Sequence, residues 1–301
     1  MKTNFKSSFI VITSFIFAVF SISSIFFSCS SDAVIASNGT LIDELESFNY
    51  SFLNSKSPNE GDYSAKGFWD KFKKGIAIAG ADLVGAGAGA AAVKEIALGL
   101  SIGTGGTGGA IVIGAGAVIG GASGSILASD QLNSHKDFGT LPYHENLNIN
   151  YPNEYIHFSN IGQQHNDMVV EMNNNQIGSI LIENKDLHKA LIEDVNFSPI
   201  IDKINSISSQ YAERDYQIEF LLNETYNEGL ITQAMKEVYS HFFYAYNQIT
   251  EIEEFKEIID FYILTVANSN ELNETEKEAL IISFSVAAES PFFWIHQING
   301  L

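Results

Sequence analysis

The chain has 301 residues, a formal net charge of −20 and a single cysteine. One cysteine allows no intramolecular disulfide, so a small disulfide-stapled fold is excluded. The acidic residues are unevenly placed: residues 1–130 carry 8 basic and 10 acidic residues, whereas residues 131–301 carry 8 basic and 26 acidic ones. Because phosphate contacts need clustered lysine and arginine, this balance predicts that nucleic acid is not a partner.

The N-terminus has the layout of a secretory signal. Lys2 and Lys6 precede an uncharged apolar run, residues 9–27, and a small residue and Cys29 follow it. The tract "SSIFFSCSSD" resembles a bacterial lipoprotein signal, in which the cysteine is lipidated and becomes the mature N-terminus. The resemblance implies a signal peptide over residues 1–28 and a lipid anchor on Cys29. It also implies a place in the cell envelope, at the outer membrane. A plain cleaved signal and an uncleaved anchor helix are the alternatives.

The middle of the chain is rich in glycine, with 16 of the 24 glycines between residues 75 and 124. Small residues recur every four positions on both sides of the tract "GTGGTGG", residues 103–109. They are Ala77, Ala81, Gly85 and Gly89 before it, and Gly116, Gly120, Gly124 and Ala128 after it. This spacing places each set on one helix face, where two backbones can approach closely. The pattern predicts a glycine-zipper helical hairpin over residues 67–130.

The sequence leaves open whether this hairpin lies in lipid or is buried in protein. A dinucleotide site is disfavoured, because no series of strands and helices follows the glycine matches. The tract "GFWDKFKKG" before the hairpin favours lipid, because aromatic and basic side chains suit a membrane interface. Its predicted interfacial anchor consists of Phe68, Trp69, Lys71, Phe72, Lys73 and Lys74. Asp82, inside the first helix, and the pair Lys94 and Glu95 near its end favour a hairpin buried in protein, because charge is unfavourable at the centre of a bilayer.

The aromatic and basic lead, the zipper and the second apolar helix together resemble the membrane-inserting parts of two-peptide bacteriocins and of glycine-zipper envelope proteins. The resemblance is one of composition and covers about sixty residues of the chain. It implies a membrane-active or membrane-associated hairpin, with membrane lipid as a partner. It also implies that a protein partner, or a second copy of the chain, associates through the zipper.

Outside the hairpin, the sequence predicts a linker, a loop and an acidic helical domain. Residues 29–66 are predicted to be the lipidated N-terminus and a linker, with a short amphipathic helix over residues 41–53. Residues 131–158 are predicted to be a loop, and residues 159–301 an acidic bundle of five or six helices. One long helix is expected over residues 200–229, and Pro291 is expected to kink or end the last helix. The fold class is therefore all-α.

Few residues of the sequence suggest catalysis or metal binding. His165 and Asn166 are the most distinctive polar pair, and we expect them to hydrogen-bond the loop of residues 151–160, with a functional polar site as the alternative. His144, His157 and His165 match no metal-ligand spacing, and no nucleophile motif occurs. No catalytic residue, metal or cofactor is predicted, and the protein is predicted not to be an enzyme.

Two hypotheses for the function remain. The first is a membrane-anchored lipoprotein with a membrane-active hairpin and a soluble helical head, either bacteriocin-like or associated with its own envelope. The second is a surface-displayed, non-enzymatic binding module in which the hairpin is a buried structural brace.

Overall fold

The computed structural model describes residues 39–55, 63–99, 107–129, 147–174 and 185–299. All of them belong to one compact unit, Gly39–Leu301. Within these ranges the chain forms ten α-helices and one short 3-10 helix, with no strand. The predicted all-α fold is confirmed.

The helices vary from two turns to ten. They are α1 (Leu41–Ser55), α2 (Tyr63–Gly99), α3 (Thr107–Ser129), α4 (Ile161–Asn173), α5 (Lys185–Ile192), α6 (Ser198–Glu213), α7 (Ile218–Asn227), α8 (Gln233–Tyr246), α9 (Ile252–Asn268) and α10 (Glu274–Asn299). The 3-10 helix, Asn153–Phe158, lies within the segment that was expected to be a loop. Seven helices follow the hairpin in the described ranges, where the sequence predicted five or six.

The expected helix over residues 200–229 is divided into α6 and α7. Asp215 and Tyr216 adopt φ angles of 56° and 57°, in the left-handed region that ends a helix. The hydroxyl of Tyr216 donates to the carbonyl of Ala128 at 2.9 Å, which holds this turn against α3. Helical periodicity continues across the turn in the sequence, so the pattern alone did not reveal the break.

Helices α2 and α3 lie antiparallel at the centre of the bundle. Helix α2 packs mainly against α3 and α10 and also contacts α6 and α7, while α3 packs against α4, α5 and α6. The hairpin therefore shares its core with the acidic head. The predicted boundary between a hairpin domain and a head domain, near residue 130, does not separate two compact units.

Three helical segments are long and apolar enough to cross a bilayer, judged by length and composition alone. They are Asp70–Lys94 in α2, Gly109–Ser129 in α3 and Glu274–Gln297 in α10. In the folded chain, 83%, 72% and 94% of their apolar windows are buried, respectively. The protein itself thus supplies the apolar surroundings of these helices.

Helix α1, in the predicted linker, is docked on α8 and α9. Phe48 stacks on Phe261 with ring centroids 3.8 Å apart. The buried Asn49 donates to the carbonyl of His241 at 2.9 Å and accepts from the hydroxyl of Tyr262 at 3.0 Å. Helix α1 is therefore packed on the helical head.

Candidate functional site

The inner faces of α2 and α3 are in backbone contact along the predicted small-residue stripes. A Cβ on Gly85 would lie 2.5 Å from the carbonyl oxygen of Gly120, and a Cβ on Gly89 would overlap the carbonyl oxygen of Gly116. One turn away, a Cβ on Gly124 would lie 3.1 Å from the carbonyl oxygen of Ala81. Real Cβ atoms do not approach a backbone oxygen as closely as the first two, so only glycine fits these positions at this helix spacing.

The stripes make a different contact at one end of the helix pair, where the first stripe begins and the second one ends. Ala77 and Ala128 each offer a carbonyl oxygen to a tyrosine hydroxyl, from Tyr211 and Tyr216 respectively, at 2.9 Å. Helices α2 and α3 thus meet closely from Ala81 to Gly89 and from Gly116 to Gly124, while the two tyrosines of the head hold the one end of the pair where Ala77 and Ala128 lie.

The outer faces of the hairpin also carry glycines, and side chains of the head fill the space above them. A Cβ on Gly80 would lie 2.8 Å from the hydroxyl oxygen of Tyr211, and a Cβ on Gly87 would overlap the hydroxyl oxygen of Tyr239. On α3, a Cβ on Gly121 would lie 2.8 Å from the ring of His165 and also 3.0 Å from the carbonyl oxygen of Asp82, at the edge of the contact with α2. We call these three positions, Gly80, Gly87 and Gly121, the outer notches. Their glycines fit the tips of side chains in the helices that surround the hairpin.

Helix α10 packs along α2 on another face and is the third central helix. The Cβ of a substituted Gly75 would lie 2.8 Å from the carbonyl oxygen of Pro291. Pro291 lies inside α10, which continues to Asn299, so the proline does not end the helix. Because proline has no N–H, the carbonyl of Ala287 lacks its helical donor. The hydroxyl of Tyr246 donates to that carbonyl at 3.0 Å and replaces the missing donor.

A buried polar cluster joins α2, α4 and α10. The carboxylate oxygen Oδ2 of Asp82 accepts hydrogen bonds from the Ser290 hydroxyl and, at 2.8 Å, from the Trp294 indole N–H. The Nε2 atom of His165 lies 3.7 Å from the same oxygen. All four side chains are almost completely buried, with exposed fractions of 0–1%. We call these four residues the buried polar cluster.

His165 and Asn166 lie inside the bundle. The Nδ1 atom of His165 is 3.1 Å from the Oδ1 atom of Asn166, and both residues have no exposed surface. The other ring nitrogen faces Asp82, so neither ring nitrogen bonds the loop of residues 151–160. The expected role of His165 is therefore corrected. Its neighbour Gly121 carries no side chain, and the ring fits between α3 and α2 for that reason.

Burial shifts the titration of both groups in opposite directions. Burial raises the pKa of the Asp82 carboxyl to about 7, although hydrogen bonds from Ser290 and Trp294 act to lower it. Burial lowers the pKa of His165 to about 4, although Asn166 and the backbone of Gly121 favour its charged form. Desolvation disfavours the charged form of each group and dominates both shifts.

The cluster contains the residue types of a catalytic triad but not its arrangement. In a triad the serine hydroxyl is bonded to the histidine, whereas the Ser290 hydroxyl donates to Asp82. A cavity of about 10 Å³ lies where α2 faces α6 and α7, and apolar side chains such as Val84, Ile207 and Leu221 line it. This volume admits about one water molecule. The arrangement is suited to holding helices together.

The predicted interfacial anchor is only partly described. The side chains of Phe68 and Trp69 lie outside the described part of the structure, as does Cys29. Lys71, Lys73 and Lys74 are exposed.

Phe72 is fully buried, packing against Phe255 and Phe292 with ring centroids 5.6 and 5.5 Å away. In this fold Phe72 belongs to the core that the hairpin shares with the head and does not face a membrane interface. That assignment is corrected.

Sequence reasoning overlooked the partners of Asp82. Asp82 is the one charged residue between Gly75 and Val93, and such isolation indicates a buried partner, but Ser290 and Trp294 lie more than 200 residues away. A weaker signal was present in α10, where Ala279, Ser283 and Ala287 repeat the four-residue spacing.

No known protein family, curated protein or solved structure matches this chain significantly.

Proposed function

We propose that this protein is a lipid-anchored, non-catalytic interaction module of the cell envelope. In this proposal Cys29 carries the anchor, and the acidic helical head is braced from within by the glycine hairpin. The observation that supports it is the fit between the outer notches and the head: Tyr211, Tyr239 and His165 occupy the space above the three glycines.

The glycines at the outer notches need a physical reason. Glycine in a helix interior is less favourable than alanine by about 1 kcal/mol, so an outward glycine needs a reason. A lipid-facing position gives no reason for glycine, because a larger apolar side chain would contact the acyl chains better. A tyrosine hydroxyl packed against the helix backbone does give a reason for glycine, because only the smallest residue lets the ring approach the backbone so closely. The outer notches therefore favour a hairpin that is surrounded by protein.

The burial of the polar cluster supports a non-catalytic role. Asp82, His165 and Ser290 have no exposed surface, and a substrate would have to open the bundle to reach them. The segment that contains the head, residues 131–301, carries most of the net charge of −20. An acidic surface repels other anionic surfaces, so the partner is expected to be a neutral or basic protein surface.

A second function, a membrane-active hairpin released from the head, is favoured by one observation. The three central helices are each long and apolar enough to cross a bilayer. In this alternative the described structure is the form in which the head covers the hairpin, and opening the bundle exposes α2 and α3 to lipid.

Two leucine substitutions separate these functions in the compact unit, residues 39–301. Gly80→Leu disturbs the contact of the hairpin with the head, whereas Gly85→Leu separates α2 from α3. For the interaction module, both variants melt at lower temperature and neither releases dye from lipid vesicles. Release by Gly80→Leu but not by Gly85→Leu would establish the membrane-active function. In the full chain, fatty-acid labelling that is lost in Cys29→Ser tests the anchor, and labelling unchanged in that variant refutes it.

A further inference from the structure

Two neighbouring side chains of the buried polar cluster each carry a polar atom without a hydrogen-bond partner. Oδ1 of Asp82 and Nε2 of His165 have no hydrogen-bond partner among the described residues, and both side chains are completely buried. Nε2 lies 3.7 Å from Oδ2 of the same carboxyl group. Burying a polar atom without a partner is costly, so such a pair calls for an explanation.

The hydrogen bonds around the pair constrain its protons. Oδ1 of Asn166 is only an acceptor, so Nδ1 of His165 carries the hydrogen of the 3.1 Å contact. In a neutral imidazole Nε2 is then an acceptor, and it faces an acidic group. Oδ2 of Asp82 already accepts from Ser290 and Trp294, so a proton on the carboxyl belongs on Oδ1. A proton on Oδ1 leaves the carboxyl group uncharged, so the lone pair of Nε2 does not face a carboxylate anion.

We infer that Asp82 and His165 together carry a single proton, on the Asp82 carboxyl, and that this uncharged pair is buried between α2 and α4 without making the fold sensitive to acid. The inference concerns the folded head and does not depend on the proposed function. Burial favours the uncharged form of both groups, which is the form in which the carboxyl has the proton and the imidazole does not.

The proton count explains why the pair leaves stability unchanged by pH. From about pH 4 to about pH 7 the folded pair holds one proton, on Asp82. In the unfolded chain, with ordinary pKa values of 3.8 and 6.5, the pair also holds one proton over most of this range, on His165. Stability changes with pH only where the folded and unfolded states bind different numbers of protons. The raised pKa of Asp82 and the lowered pKa of His165 therefore have opposite effects on the pH dependence of stability, and these effects cancel.

The two tyrosines that lie near Asp82 do not titrate in this range. Tyr211 from α6 and Tyr246 from α8 sense its charge, and burial raises the pKa of each hydroxyl well above 10. Helix α3 contributes Ser125, and α10 contributes Ser290 and Trp294, none of which titrates here. Glu289 of α10 lies against Gly162, on the first turn of α4.

Single substitutions should uncover the two opposing slopes. In Asp82→Asn only the lowered pKa of His165 remains, so stability is complete above pH 6.5 and is lost as the pH falls towards 4. In His165→Gln only the raised pKa of Asp82 remains, so stability is complete below pH 3.8 and is lost as the pH rises towards 7. Each slope approaches a tenfold change in the unfolding equilibrium constant per pH unit.

The test is urea unfolding of the full chain between pH 4.5 and 6.5. We expect slopes of opposite sign for Asp82→Asn and His165→Gln relative to the wild type, and a slope matching the wild type for the double variant. Equal slopes in all four proteins would overturn the inference.

A measurement on the folded protein covers the case in which a variant fails to fold. At pH 5.5, infrared difference spectra should show a protonated, buried carboxyl, and nitrogen NMR should show a neutral His165 ring. A carboxylate together with a charged imidazole would place the proton on His165 and refute the uncharged pair.

Discussion

The notch at Gly80 provides the sharpest test of how the head fits the hairpin. A Cβ at this position would lie 2.8 Å from the hydroxyl oxygen of Tyr211, 3.6 Å from Cζ of that ring and 3.0 Å from the Cδ1 atom of Ile218. The ring carbon is at an ordinary distance, and the isoleucine methyl can shift slightly. The tyrosine oxygen is therefore the main obstacle to a methyl group at residue 80.

The magnitudes follow from this geometry. Gly80→Ala gains about 1 kcal/mol of helix propensity but forces an overpacked contact that costs about 1–3 kcal/mol. Tyr211→Phe loses the hydrogen bond to Ala77, a net loss of about 1 kcal/mol. In the double variant the obstructing oxygen is absent, so the alanine methyl is accommodated. We expect the double variant to be more stable than the sum of the single effects by at least about 1 kcal/mol.

The measurement is a double-mutant cycle from urea unfolding followed by circular dichroism. Gly85→Ala combined with Tyr211→Phe is the matched control, because a Cβ at residue 85 meets the backbone oxygen of Gly120, which no side-chain deletion removes. The control pair should show no coupling. Additive effects of Gly80→Ala and Tyr211→Phe would refute the claim that Tyr211 accounts for the glycine at residue 80.

Two further substitutions test contacts that hold other helices in place. Tyr246→Phe should destabilise the head by about 1–3 kcal/mol, because Pro291 provides no helical donor for the Ala287 carbonyl. In a Pro291→Ala background, the loss of stability measured by urea unfolding should be smaller. An equal loss would contradict the idea that the Tyr246 hydroxyl replaces the missing backbone N–H. Asn49→Leu should speed amide hydrogen exchange in α1 by tenfold or more while α2 stays protected. The reason is that Asn49 hydrogen-bonds both helices on which α1 is docked. Unchanged exchange in α1 would show that its aromatic contacts alone hold it in place.

The sequence predicted the hairpin through a local property. Residues four positions apart share a helix face whatever surrounds the helix, so the stripe of Gly85 and Gly89 and the stripe of Gly116 and Gly120 were visible before the fold was known. The assignment of Phe72 to a membrane interface was wrong for a related reason. An aromatic residue beside lysines has the same local pattern at a membrane interface and at the edge of a core. Only Phe255 and Phe292, far along the chain, distinguish the two.

The sequence by itself determined that this protein is helical, that two of its helices have small faces, and that its charge is concentrated in the C-terminal half. These features depend on neighbours within one or two turns. The tertiary structure decided that the outer notches are filled by the head, that α10 is the third central helix, and that Asp82 meets Ser290 and His165. Those contacts join residues separated by some 40 to 220 positions, and helical periodicity places no constraint on partners at such separations.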